Sequence, residues 1–324
     1  MSVKIVVSGL GAIGGYYGAM LARFAEQLSS VKVFFYLRQG EHLNAIRQFG
    51  LQVVSPSLNF YAHPTLATSK VEDIALGKGK DKGVDYLILA TKEYDLKKNL
   101  KDLLPIIGRK TLILTTQNGL SAPLTVQSFL PDNTVASAAC HITCRKTPGL
   151  ITVRSDENLL KIGLDPSFSG KITPEKWAQI ERLFVYLRAA GVRCTPPSRE
   201  MGILLKEKFI MLSPSAAATA YYNQPIGEVM KHHEEALREL IHELAMLYQA
   251  MGNRNSLFIE DEAFAAIDKM PKEATTSMHS DIQNGHKSEL ESLVGFVVKT
   301  AKKNKLSVPR YEAFYNELKN RINS

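Results

Sequence analysis

Residues 4–18 read KIVVSGLGAIGGYYG: a β-branched apolar run, then Gly9-x-Gly11-x-x-Gly14, then residues that continue as a helix. Each glycine has a separate job in such a turn. Gly9 permits the tight bend after the strand, Gly11 lets the main chain come close to a pyrophosphate, and Gly14 allows the helix to pack against the strand. The unpaired N–H groups at the helix start face the anion. Alone the three glycines are a weak signal. Between a strand and a helix they predict a dinucleotide site built from Gly9, Leu10, Gly11, Ala12, Ile13 and Gly14.

The same alternation continues outward. The runs KIVVS (4–8), KVFFYL (32–37), YLILAT (86–91) and TLILTT (111–116) are almost continuously apolar, as strands of a parallel sheet covered on both faces must be. Helical patterns at 13–27, 41–48 and 95–104 separate them, giving a βαβ series and a doubly wound α/β fold. LLKIGLD (159–165) predicts one more strand. TPEKWAQIERLFVYLRAAG (173–191) predicts a helix with Thr173 as N-cap, Pro174 at its first position and Gly191 past its end. After TPPS (195–198) the pattern turns helical throughout, at 200–222, 227–251, 261–270, 287–304 and 311–321, with no convincing strand. The expected architecture is a Rossmann-type domain over residues 1–198 and an all-helical substrate domain over 199–324.

Composition is compatible with that division. A chain of 324 residues with 45% hydrophobic and 22% charged residues is an ordinary globular protein, long enough for two cores. The beginning lacks a basic lead and a cleavage site, and no run approaches 18 apolar residues, so the expectation is a cytoplasmic protein, neither secreted nor membrane-spanning. The net charge of +8 is scattered, clustering only in GKGKDKG (77–83) and KKNK (302–305). No nucleic-acid motif accompanies these runs, and small anionic ligands suit them better. Cys140, Cys144 and Cys194 are too few for a disulfide scaffold, and CHITC lacks the second pair of a structural zinc site, so no metal is expected.

The second strand selects the dinucleotide. NAD enzymes usually end it with a carboxylate for the ribose 2′-hydroxyl, whereas FFYLRQG offers Arg38 and no acid before Glu41. A guanidinium suits the extra 2′-phosphate of NADP. The later strand ends ATKEYD (90–95) and TTQNGL (115–120) place Thr91, Lys92, Asn118 and Gly119 where ligands of doubly wound sheets bind.

ILLKEKFIMLSPSAAATA (203–220) is apolar enough for a buried helix yet carries Lys206, Glu207 and Lys208. At helical spacing Lys208 shares its face with Met201, Leu204, Leu205, Met211 and Leu212, so it points toward a core or a cleft. Read from the residues alone, a lysine that packs its stem while its ammonium reaches water accounts for this equally well.

Taken together, these motifs resemble the 2-dehydropantoate 2-reductase (ketopantoate reductase) family, two-domain NADPH enzymes related to 6-phosphogluconate dehydrogenase. TAYYNQPIGEVM (219–230), through Thr219, Gly227 and Glu228, puts Lys208 rather than Lys206 on the family's catalytic lysine. TTSMHSDIQNGHKSELESLVG (275–295) aligns Ser277, Asp281 and Glu289 with the family's distal segment. The resemblance implies reduction of the C2 ketone of a 2-oxo acid, 2-dehydropantoate to pantoate in coenzyme A biosynthesis. It assigns the proton to Lys208, a substrate hydroxyl to Glu289, and the carboxylate or ketone to Ser277 and Asn118. A homodimer is compatible with it. The chain departs from the family pattern where asparagines usually follow the lysine by one and two turns: Leu212 and Ala216 stand there. Ser213 and Ser215 are close by, and Pro214 is expected to kink the helix and turn one of them inward. Two alternatives stay open: a reductase of another branched or hydroxylated 2-oxo acid, and an NADP(H)-binding sensor.

Overall fold

The computed structural model of the protein describes residues 2–74, 83–154, 156–251 and 256–323; most of the basic run 77–83 lies outside them. Two compact units divide the chain, Met1–Gln117 with Ala122–Gly202, and Asn118–Ser121 with Ile203–Ser324.

The first unit contains β1 (Val3–Ser8), α1 (Ala12–Ala25), β2 (Val31–Tyr36), α2 (Glu41–Phe49), β3 (Leu51–Val54), β4 (Asn59–Ala62) and β5 (Leu66–Thr68). There follow β6 (Tyr86–Leu89), α3 (Leu96–Leu103), β7 (Leu112–Thr115), α4 (Ser121–Phe129), β8 (Thr134–His141), β9 (Cys144–Thr147) and β10 (Leu150–Val153). β11 (Leu159–Gly163), α5 (Pro166–Ser169) and α6 (Pro174–Ala189) complete it. Seven strands form the main sheet in the order β11-β8-β7-β6-β1-β2-β5. All neighbours are parallel except β11, which runs against β8. The strand order reverses at β1, which pairs with β2 on one side and β6 on the other. Ligands of doubly wound sheets bind at such a switch point, and the glycine loop leaves β1 there.

Local chemistry accounts for the elements. β1, β6 and β7 are buried on both faces, which their continuous apolar runs require. The Thr173 side chain accepts from Lys176 N–H at the head of α6, Pro174 opens the helix, and Gly191 takes φ +82° past its end.

A second sheet of four strands, β4-β3-β10-β9, was not expected from the sequence. It lies on α1 so closely that a Cβ on Gly15 would sit 2.5 Å from Ile151 Cδ1.

The second unit is helical among its described residues: α7 (Met201–Tyr222), α8 (Ile226–His232), α9 (Glu234–Ala250), α10 (Ser256–Asp268), α11 (Ser277–Gln283), α12 (Leu290–Leu293), α13 (Gly295–Lys303) and α14 (Pro309–Asn323). Two expected helices are each split. The one over 227–251 breaks at His233 (φ −138°, ψ 28°), whose ring stacks on Tyr222 at 3.6 Å. The one over 287–304 breaks at Val294, between α12 and α13. Pro214 does not end α7, which runs continuously through it. Among the described residues no helix is long and apolar enough to cross a membrane.

Candidate active site

In the sheet unit, the glycine loop shows which of its glycines the fold itself needs. Gly9 has φ +88°, and a Cβ there would lie 2.5 Å from Thr91 N. A Cβ on Gly14 would lie 2.1 Å from the Gly9 carbonyl oxygen. Both positions are closed by the chain's own backbone. Gly11 differs: φ −69° and ψ −165° suit any residue, and a Cβ would meet nothing within 4 Å. The fold does not require glycine at Gly11, but an anion drawn close to its N–H would. No side chain caps α1, whose first N–H groups therefore have no side-chain acceptor.

Two buried polar atoms at the neighbouring strand ends have no hydrogen-bond partner, Thr91 Oγ1 after β6 and Gln117 Oε1 after β7. The Gln117 amide is fixed, because Nε2 donates to the Thr91 carbonyl at 3.0 Å. Buried groups of this kind are normally completed by water, an ion or a ligand, and these two stand at strand ends beside the glycine loop. The residues present thus fit a dinucleotide. Gln117 was not singled out in the sequence, where it lies inside TTQNGL with nothing to distinguish it from a turn residue. Lys92 is half-buried just before a 3₁₀ turn, Glu93–Asp95. Arg38 follows β2 with its side chain 92% exposed, and its Nη2 lies 3.6 Å from Asp95 Oδ2.

In the helical unit, Leu204, Lys208, Met211 and Leu212 form a half-buried stripe along α7, between exposed Ile203 and Glu207 on one side and buried Leu205 and Phe209 on the other. The ammonium of Lys208 donates to Asn118 Oδ1 at 3.0 Å. Asn118 reaches it through a turn in which Gly119 has φ +98°. Lys206 takes another direction, with Nζ 5.8 Å above the Tyr248 ring.

Glu289 is 5% exposed at the start of α12, where its carbonyl accepts from the N–H groups of Ser292 and Leu293. Ser277, the first residue of α11, is exposed, and the preceding Thr276 caps that helix by accepting from His279 N–H. Asp281 is half-buried on the same helix.

The two serines after the lysine are committed elsewhere. Ser213 Oγ donates to the Leu293 carbonyl at 2.8 Å and lies 2.8 Å from Tyr311 Oη, while Ser215 Oγ donates to the Met211 carbonyl at 2.7 Å. Ser215, four residues beyond Met211 and seven beyond Lys208, continues the lysine's face but is buried and gives its proton to the Met211 carbonyl. Ala216 is fully buried and Leu212 half-buried.

The three cysteines are reduced. Burial pushes the thiols of Cys144 and Cys194 up to about 12, which makes them poor nucleophiles at neutral pH. Among the described residues no group of three His, Cys, Asp or Glu side chains is placed to hold a metal ion.

The chain matches the family models "Ketopantoate reductase PanE/ApbA" over residues 5–166 and "Ketopantoate reductase PanE/ApbA C terminal" over residues 204–322. The crystal structure of 2-dehydropantoate 2-reductase from Porphyromonas gingivalis W83 is 33% identical, covers 98% of this chain and 99% of its own, and superposes with a TM-score of 0.81. The oxidoreductase YkpB of Bacillus subtilis (strain 168), itself uncharacterized, is 23% identical over 98% of both chains. A D-mandelate dehydrogenase, solved as a ternary complex with NADH and anilino(oxo)acetate, shares the fold at 20% identity, with a TM-score of 0.82 over 99% of both chains. With both halves matched by the family models and a relative of this likeness along nearly its whole length, the chain is an oxidoreductase that belongs to the ketopantoate reductase family.

Proposed function

We propose that the protein reduces the 2-oxo group of a 2-oxo acid with NADPH, and that 2-dehydropantoate is its substrate. The observation that carries this reading is the hydrogen bond from Lys208 to Asn118 in a chain of this family. When bound, NADPH supplies the hydride.

The chain's own residues supply the rest. Reduction of a ketone leaves charge on its oxygen, and the Lys208 ammonium both stabilises that charge and gives up the proton. Its half-buried position strengthens the effect, since charges interact more strongly away from bulk water. Asn118 offers no proton. Its amide oxygen keeps the ammonium oriented, and its amide N–H₂ is available to the ketone or carboxylate. Glu289, buried beside α12, accepts from a substrate hydroxyl, and exposed Ser277 donates to the carboxylate. In the sheet unit the loop of Gly9, Leu10, Gly11, Ala12, Ile13 and Gly14 holds the pyrophosphate, with Thr91 and Lys92 beside it, and Arg38 takes the 2′-phosphate. On this reading residues 1–198 serve the cofactor and 199–324 the substrate, with Asn118 acting alongside the second group.

One observation favours a second substrate class. Met211 and Leu212 stand one turn beyond Lys208 and are half-buried with it, so they present hydrocarbon next to the proton donor. A 2-oxo acid with a branched or aromatic hydrocarbon side chain suits such a wall. Following NADPH oxidation across a panel of 2-oxo acids separates the two. Faster turnover of 2-dehydropantoate supports the first reading, and preference for a hydrocarbon side chain the second. Activity with none of them would refute both.

A further inference from the structure

We propose that Ser213 is a positioning residue of the active site: its hydroxyl ties α12 to α7 and so sets where Glu289 stands relative to Lys208 and Asn118. The inference rests on the reading of Lys208 as proton donor and of Glu289 as acceptor for a substrate hydroxyl.

Ser213 lies five residues beyond Lys208 on α7 and is fully buried. Helical spacing turns it away from the lysine's stripe, so it acts through the chain and not on a substrate. Its one proton goes to the Leu293 carbonyl at 2.8 Å, where the chain breaks between α12 and α13. Tyr311 Oη lies 2.8 Å from the same hydroxyl, and because Ser213 has no second proton the phenol is the donor. Burial pushes the Tyr311 phenol up, so it keeps the proton it places in the bond. The two bonds run in one direction, from α14 through α7 to α12, an order in which each strengthens the other.

Both ends of α12 belong to the candidate site. At its start the Glu289 carbonyl accepts from the N–H groups of Ser292 and Leu293 at 3.2 and 3.0 Å and from Ser292 Oγ at 3.1 Å. At its end it meets the turn that carries Asn118. A Cβ on Gly119 would lie 3.4 Å from the Ser292 carbonyl oxygen and 3.7 Å from Cε2 of Phe209, the residue after Lys208. Asn118 in turn accepts from the Lys208 ammonium.

A helix of four residues is too short to hold itself in place, so its orientation comes from what it leans on. Packing at Gly119 limits how close α12 can come. The Ser213 bond has a direction, and it fixes how the turn is rotated. Since the Glu289 carbonyl is bound into that turn, a shift of α12 carries Glu289 with it. Ser213 thus joins the helix of the proton donor to the residue that holds the far end of the substrate.

The test is steady-state kinetics of the full-length enzyme with two substrates: 2-dehydropantoate, and its deoxy analogue, in which a methyl replaces the hydroxymethyl group. Ser213→Ala should raise the KM for 2-dehydropantoate about tenfold, the worth of one misplaced hydrogen bond, and that for the analogue by less than about twofold, with NADPH affinity unchanged. Added to Glu289→Ala, it should change the KM by less than about twofold, because the two act through one contact. Tyr311→Phe is the control for a purely structural effect. It removes the other bond of the buried pair but leaves Ser213 its proton for Leu293, so it should lower the melting temperature and leave both KM values near wild type. Equal rises for the two substrates in Ser213→Ala would overturn the proposal, as would an unchanged KM in the folded variant or a full tenfold on top of Glu289→Ala. If Ser213→Ala fails to fold, Ser213→Cys, which keeps a similar shape with a much weaker donor, takes its place in each comparison. A wild-type enzyme that reduces neither substrate, or binds both equally well, would instead overturn the reading of Lys208 and Glu289, and this inference with it.

Discussion

The ammonium of Lys208 donates to the amide oxygen of Asn118 at 3.0 Å across 90 residues of sequence. Asn118 is brought there by a turn that needs a glycine, because Gly119 takes φ +98° and a Cβ would come within 3.4 Å of the Ser292 carbonyl oxygen. A neutral partner has a chemical consequence. The Asn118 amide oxygen orients the ammonium without adding a charge of its own. Lys208→Ala should therefore fold and bind NADPH normally while losing roughly 10²- to 10⁴-fold in kcat, the usual contribution of a positioned proton donor. Lys206→Ala, which removes a group beside Tyr248, should be mild. Steady-state kinetics of the two variants check this, and a more damaging effect at Lys206 would refute the assignment.

The glycine loop makes a second prediction, because two of its glycines are constrained for different reasons. Gly11→Ala places a methyl in open space at an ordinary φ, so the melting temperature should be unchanged while NADPH affinity falls. Gly14→Ala drives a methyl to 2.1 Å from the Gly9 carbonyl oxygen. Such overpacking against backbone costs at least about 1–3 kcal/mol, several degrees in melting temperature. Thermal unfolding and NADPH titration on both variants separate folding from binding. Equal thermal losses for the two would show that Gly11 also serves the fold.

Arg38 supports a prediction about cofactor choice. Its side chain is 92% exposed and near Asp95, a weak surface pair that leaves the guanidinium accessible to a phosphate. Arg38→Ala should weaken NADPH binding roughly ten- to a hundredfold, as loss of a charge-assisted contact does, and leave NADH nearly untouched. The ratio of the two dissociation constants is the readout. If wild-type protein binds both equally, Arg38 is only a solvated strand-end residue.

How much of this was legible in the sequence depends on the range over which each feature is encoded. β1, β6 and β7 announce themselves because burial on both faces demands unbroken apolar runs. The stripe of Leu204, Lys208, Met211 and Leu212 is likewise local, fixed by the 3.6-residue repeat. The second sheet was invisible because its strands are four residues long; β3 is only alternately buried, and β9 is largely exposed. β8 escaped for another reason: TVASAACH is almost wholly buried but made of small residues with little apolar signal. The breaks at His233 and Val294 depend on tertiary packing, which periodicity does not record. The same holds within the candidate site. Lys208 could be picked out from its own helix, but its pairing with Asn118, the unpartnered Gln117 Oε1 and the bond from Ser213 to Leu293 join segments far apart in the chain.

The last prediction concerns the substrate and follows from Leu212. The serines that stood nearest to replacing the missing asparagines give their protons to the chain itself, Ser213 to the Leu293 carbonyl and Ser215 to the Met211 carbonyl, so neither supplies the donor that an amide would. Ala216 is a poor place to restore one. It is fully buried among Ala217 and Ala218, and an added amide there would be both overpacked and at risk of having no partner. Leu212 is half-buried on the lysine's own stripe and can accept a polar replacement. Leu212→Asn should therefore lower the KM for 2-dehydropantoate by roughly three- to tenfold, the worth of one recovered hydrogen bond, with NADPH affinity unchanged. It should also slow turnover of 2-oxo acids with hydrocarbon side chains, which lose an apolar wall. Combining it with Glu289→Ala should abolish the gain, because a hydroxylated substrate must be held at both ends to benefit. A folded Leu212→Asn enzyme with unchanged or poorer 2-dehydropantoate kinetics, and an undiminished preference for hydrocarbon side chains, would mean that the site is shaped for the second substrate class.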